Sequence, residues 1–165
     1  RPQQFSVMTT FPKRRVVSTR NVIIDWFYRE GLPEDALITK NTETGTIRIS
    51  NPLLTAADLV QYQQHVGGLS LVATILEELS EQINIKSQFA SLASFVKKVT
   101  WQRLGYILEH VVEENELADE LYEQIRNLPG SLMYMPFSTS AEDNTSERNS
   151  RWKIKINVQI EKDDL

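Results

Sequence analysis

The sequence predicts an α+β domain with N-terminal antiparallel strands and a hairpin, a central cluster of about five helices, and C-terminal strands returning to the first sheet. Three observations predict it. The first third is rich in β-branched and aromatic residues in short alternating runs. From Ser50 the apolar spacing changes to three and four and keeps that period to about residue 128. The closing segment RWKIKINVQI then goes back to a period of two.

Taken in order, Phe5 and Val7, Arg14 to Thr19, and Val22 to Arg29 read as strands, broken by FPK and by Thr19-Arg20-Asn21. ALITKNTETGTIRIS reads as a hairpin around Glu43-Thr44-Gly45, with Leu37, Thr39, Ile47 and Ile49 at alternating positions. Ser50 or Asn51 can cap a first helix that opens on Pro52, where a missing N–H costs nothing. Gly67-Gly68 stops it. Leu69, Val72, Ala73, Leu76, Leu79 and Ile83 mark the apolar face of a second helix, and Phe89, Leu92, Val96 and Val99 that of a third. Leu104, Ile107, Leu108 and Val111 mark a fourth; Leu117, Leu121 and Ile125 mark a fifth. Leu128-Pro129-Gly130 ends the helical run. LMYMPF is then expected as a strand and STSAEDNTSERNS as a mobile loop. In the last strand Trp152, Ile154, Ile156, Val158 and Ile160 face the core, and Lys153 and Lys155 look outward.

A chain of 165 residues fits one domain spanning 1–165. Such a chain buries roughly 68–70% of its unfolded surface, enough for a core without staples. No cysteine is present, which excludes disulfides, thiolate metal sites and cysteine nucleophiles, and two histidines supply a metal site poorly. No cofactor and no metal are expected. The apolar stretches fall far short of the ~20 residues that a bilayer helix needs, so no membrane partner and a cytoplasmic location are expected. The abrupt opening at Arg1, without an initiator methionine, reads as the start of a fragment.

The formal net charge of -4 is unevenly spread. Lys13, Arg14, Arg15 and Arg20 near one end, and Arg148, Arg151, Lys153 and Lys155 near the other, make both ends basic. Between Leu104 and Ile125 every charged residue is acidic, from Glu109 to Glu123. Those eight basic residues are the candidate nucleic-acid or partner contacts, because clustered Lys and Arg form the electrostatic footprint of such a surface.

Motifs that carry chemistry are missing. Gly67-Gly68 lacks the spacing of a phosphate-binding loop, and there is no HExxH, GxSxG, zinc-deaminase pattern or Glu-x-Lys of a nuclease. Asp58 sits near the start of the first helix, where the dipole favours a carboxylate. Arg103 can stack on Trp101 or pair with an acid of the following helices. Gly105 costs about 1 kcal/mol against alanine in a helix, which a close helix crossing would explain. His65 suits a helix C-terminus and His110 lies among acids; neither reads as a ligand or base.

Three pieces stand out for their order and spacing: Ser50-x-Pro52-x-x-Thr55-x-x-Asp58-Leu59, Arg103-Leu104-Gly105-Tyr106, and Arg151-Trp152-Lys153 with Asn157. Together with RPQQFSVMTT and HVGGLSLVATILEEL they form a series that resembles the AbiEi family of antitoxins, over nearly the whole chain. These are the regulator half of bacterial type IV toxin–antitoxin systems. The resemblance implies a winged helix-turn-helix ahead of this segment, with operator DNA as its partner and autorepression as its task. It also implies a nucleotidyltransferase-like toxin as functional partner, opposed without a stable direct complex, and no catalytic residue. Asp58, Arg103, Gly105, Trp152 and Asn157 are carried over as fold markers. An alternative is the ligand-sensing domain of a transcription regulator, which would need a pocket with convergent polar groups. An enzyme of unfamiliar type would need clustered titratable side chains in perturbed environments.

Overall fold

A run of apolar residues on both faces of one strand organises the N-terminal part. The computed structural model describes residues 3–11, 17–19 and 21–162, in two compact units, residues 1–34 and 35–165. In the first unit β1 (Gln3–Thr9), β2 (Val17–Thr19) and β3 (Val22–Tyr28) form a sheet in the order β1-β3-β2. Strand β3 reads VIIDWFY and takes the central place that such a sequence suits. It pairs antiparallel with β2 but parallel with β1, Gln3 opposite Val22 and Thr9 opposite Tyr28. The expectation of purely antiparallel strands is therefore corrected. Between Thr9 and Val22 the chain has about the dozen residues that a parallel return requires, so the two strands are not tied into a hairpin.

The second unit begins with the hairpin of β4 (Leu37–Thr42) and β5 (Gly45–Ser50), which turns over Glu43 and Thr44. Five helices follow: α1 (Pro52–Gln61), α2 (Leu69–Ser80), α3 (Ile85–Gln88), α4 (Lys98–His110) and α5 (Asn115–Arg126). The junction between hairpin and α1 is fixed by a dense set of bonds. Asn51 caps the helix through its side-chain oxygen, which accepts from Leu54 N at 2.8 Å, while its own N–H donates to Ala36 O at 2.7 Å. Thr55 Oγ1 donates to Asn51 O at 3.0 Å and lies 2.6 Å from Ser50 Oγ. Each residue of Ser50-Asn51-Pro52-x-x-Thr55 thus does capping work, with proline at the one position where its lost donor is free.

Gly67 and Gly68 take φ of 102° and 93° between α1 and α2, a region that side chains disfavour. The expected third helix is corrected. Only Ile85–Gln88 is helical, and the chain then turns through bonds such as Leu92 N to Phe89 O and Phe95 N to Leu92 O. Ser91 Oγ donates back to Gln88 O at 3.1 Å, offering the backbone an alternative to helix. Phe89, Leu92 and Val96 are buried all the same, because spacings of three and four can be met by successive turns. The core joins Leu53, Leu54 and Ala57 of α1, Val72 and Leu76 of α2, Leu104, Ile107 and Leu108 of α4, and Leu121 and Ile125 of α5.

After α5 come β6 (Met135–Pro136), β7 (Arg148–Asn149) and β8 (Ile154–Lys155), in the order β6-β8-β7. Here the class holds and the pairing does not. The C-terminal strands form a small sheet of their own instead of returning to the first one, β8 lying parallel to β6 and antiparallel to β7. The long alternating strand from Trp152 to Ile160 shrinks to two residues. Lys153 has a φ of 52°, which breaks an extended run before it starts. Beyond Lys155, Ile156, Val158 and Ile160 pack against the helical core without belonging to a strand. Burial alternates from Arg151 to Lys155 and then levels off, with Ile156, Asn157 and Val158 all half-buried; ladder pairing covers two residues only.

Replacing Asn51 by alanine removes the cap and is expected to lower stability by about 1 kcal/mol, within the usual range for lost caps. Urea denaturation of both proteins checks this, with an unchanged midpoint counting against the role given to Asn51.

Candidate functional site

The sequence of α4 places Gln102, Gly105 and Glu109 three and four residues apart, on one face of the helix. Trp152 docks on that face. A Cβ built on Gly105 would lie 1.9 Å from Cζ3 of the indole, so the absence of a side chain is what lets the ring in. The element crossing Gly105 is thus an aromatic ring rather than the helix expected. Gln102 Nε2 donates to Trp152 O at 2.8 Å, Met133 O at 2.9 Å and Lys153 O at 3.2 Å. Glu109 accepts from the indole Nε1 through one oxygen and from Arg151 Nη1 at 2.9 Å through the other. Tyr122 of α5 meets the indole edge-on at 5.4 Å. Asn149 accepts from Trp152 N at 2.8 Å and holds His110 Nε2 at 2.8 Å.

The eight basic candidates have different fates. Lys13, Arg14, Arg15 and Arg20 lie outside the described residues. Arg151 is turned inward: besides Glu109 it donates to Asp119 Oδ1 at 2.5 Å, and it sits 4.6 Å from the Tyr122 ring centre. Burial by itself pulls its pKa down; hydrogen bonds and charges from Asp119 and Glu109 outweigh that and raise it. Lys155 pairs with Asp143 at 2.6 Å, so its side chain closes the loop of residues 138–147 rather than facing water alone. Asn157 closes the same loop, accepting from Ser138 N at 2.9 Å and donating to Ser138 O at 2.8 Å. The loop expected to be mobile is therefore pinned at both of these points. Arg148 and Lys153 remain together, 5.4 Å and 5.0 Å from the ring centre of Tyr134. Of the eight candidates, Arg148 and Lys153 are the two that gather beside an aromatic ring.

Among the described residues Arg103 neither stacks on Trp101 nor pairs with an acid. Its Nε and Nη2 donate to Pro136 O at 3.2 Å and 2.8 Å, and burial lowers its pKa. Trp101 instead packs its ring 5.1 Å from that of Phe89. Asp58 lies in α1 with its carbonyl accepting from Tyr62 N at 2.8 Å. Among the described residues no group of three or more His, Asp or Glu side chains is placed to hold a metal ion, and no helix is long and apolar enough to cross a membrane. Sequence reasoning passed over Gln102, Asn149 and Tyr134, and read Glu109 only as one of a run of acids. Gln102 carried a signal, a neutral polar residue in the apolar run of α4, where burial demands a partner.

Gly105→Ala is expected to destabilise by about 1–3 kcal/mol, since the buried indole must move to admit the methyl group. Equilibrium denaturation, with Gly31→Ala as a control in open space, measures it. Tyr106 provides a pH test. Burial, followed by the charge of Glu147, raises its pKa above the ordinary 10.0. The folded value lies above the unfolded one, so its contribution is complete below the unfolded value and is lost as pH rises through the folded one. Stability of Tyr106→Phe should therefore fall less steeply above pH 10.0 than that of the parent, and parallel curves would contradict the assignment.

The family model described as AbiEi antitoxin C-terminal domain matches residues 1–110. Those residues contain the capped start of α1 and the Arg103-Leu104-Gly105-Tyr106 stretch of α4, while the docking segment around Trp152 lies beyond them. No curated protein and no solved structure matches the chain. With two thirds of its length matched, the chain belongs to the AbiEi antitoxin family.

Proposed function

We propose that this chain is a non-catalytic antitoxin domain that counters a nucleotidyltransferase-like toxin without forming a stable complex with it. Joined to the winged helix-turn-helix that the family resemblance implies, it assists repression of its own operon. The family match over residues 1–110 carries this reading. The hub chemistry agrees with it: Glu109 and Arg151 satisfy each other and the indole instead of converging on an open site.

For DNA, the supporting feature is the Tyr134 ring between Arg148 and Lys153. Such cations position a protein on phosphates without reading sequence. Of the candidates in the C-terminal segment, Lys155 is held by Asp143 and Arg151 by Glu109 and Asp119, so the role falls to Arg148 and Lys153. A ligand-sensing domain is less well supported. Two cavities of the second unit measure about 130 and 260 Å3, each below the roughly 300–1,000 Å3 of sites that enclose a whole small molecule.

Co-expression of this chain with the toxin encoded beside it is expected to restore growth. Continued toxicity, with the chain folded and abundant, would refute the antitoxin reading. For the auxiliary DNA role, Arg148→Glu with Lys153→Glu should weaken operator binding by the full-length protein and flatten its salt dependence by roughly two counterions. An unchanged salt slope would remove this surface from the interface.

A further inference from the structure

One cavity of the second unit is built around a cation that lacks a counter-charge. Its volume is about 130 Å3, and Val60, Tyr62, Gln64, His65, Arg103 and Thr139 are among the residues that line it. Arg103 spends Nε and one N–H of Nη2 on the carbonyl of Pro136. No carboxylate among the described residues pairs with its guanidinium, and Nη1 has no hydrogen-bond partner there. A partly buried charge without a partner is costly, and a guanidinium presents its remaining donors as a planar fork suited to oxyanions. The other basic residues of this unit near acids, Arg151 and Lys155 above all, are neutralised within the chain. Arg103 is not.

We propose that this cavity is an oxyanion site that takes a phosphate group, with Arg103 as its charged anchor and the polar side chains of the segment from Tyr62 to His65 closing around it. The volume suits a group rather than a molecule. At well under the roughly 300–1,000 Å3 of enclosing pockets, it would hold one phosphate while the rest of a ligand stayed outside. Arg103 lies on a different side of α4 from Gln102, Gly105 and Glu109, so occupation of the cavity leaves the docking of Trp152 undisturbed. The proposal does not depend on the antitoxin role.

The test is an NMR titration of the whole chain, following the Arg103 Nε–H resonance against inorganic phosphate, AMP and adenosine. Saturable shifts with phosphate and AMP, and none with adenosine, are expected. Tighter binding of AMP would assign the group to a nucleotide, and equal binding to free phosphate; either supports the site. Gln64→Glu places a negative charge at the rim while leaving the bond from Arg103 to Pro136 in place, and should weaken binding by roughly tenfold. Gln64 is exposed, so this variant is expected to fold. Arg103→Met removes that resonance, so its binding is read from the backbone amides of Tyr62 to His65, whose saturable response to phosphate should disappear. No saturable shift of Arg103, or a shift of equal strength in Gln64→Glu, would overturn the proposal.

Discussion

The second unit depends on one indole lying against one glycine. Trp152 is fully buried on Gly105, and its ring is too rigid and too large to be accommodated beside even a methyl group. Each polar atom of Trp152 itself has a partner. The indole N–H goes to Glu109, the backbone N–H to Asn149 and the carbonyl to Gln102, so the chain on either side of the ring has little freedom to sit elsewhere. From that anchor Ile154 and Lys155 reach between β6 and β7, and Asn157 fastens the loop before them. A long amphipathic strand would have needed partners along its whole length. A plug with a two-residue ladder does not.

The same anchor explains where the charges went. In the sequence the acids of residues 104–125 and the bases after 148 look like two separate faces, one repelling nucleic acid and one attracting it. Folding brings them together, since Glu109 and Asp119 both meet Arg151 beside the indole. A guanidinium bridging two helices from between their carboxylates is held by geometry as well as charge, and stacking over Tyr122 shields one of its faces. What the sequence presents as surface charge is here part of the packing. Basic residues of the C-terminal segment are therefore a poor count of its capacity to bind phosphates.

The helices, the hairpin and the capped start of α1 were legible because each is signalled locally. Pro52 after Asn51, a glycine pair after α1, and apolar spacings of three and four report the backbone that carries them. The exceptions share a cause. Phe89, Leu92 and Val96 announce which side chains are buried, yet turns and helix can both bury them, and the spacing does not choose between the two. Alternation from Trp152 to Ile160 likewise announces burial, while strand pairing is a non-local property that a period of two does not contain. Of the candidate site, the unusual glycine at 105 and the tryptophan at 152 were each visible. That they meet was not, because forty-seven positions of chain separate them and no local signal names a partner.

Under the proposed auxiliary DNA role, the domain's contribution through its described surface is limited by charge. Each phosphate contact on a duplex contributes about -0.9 to the slope of log K against log salt. Arg148 and Lys153 can supply about two such contacts, and their ammonium and guanidinium groups are already drawn toward the Tyr134 ring. An affinity built on that surface alone would be weak and blind to sequence. Under the proposed function, specificity belongs to the groove-reading module that the family resemblance implies, and these two cations would add only a backbone contact beside it. Lys153 directly follows Trp152, so fixing the indole also fixes the backbone from which one of the two cations extends, and less conformational entropy is left to lose than in a free tail.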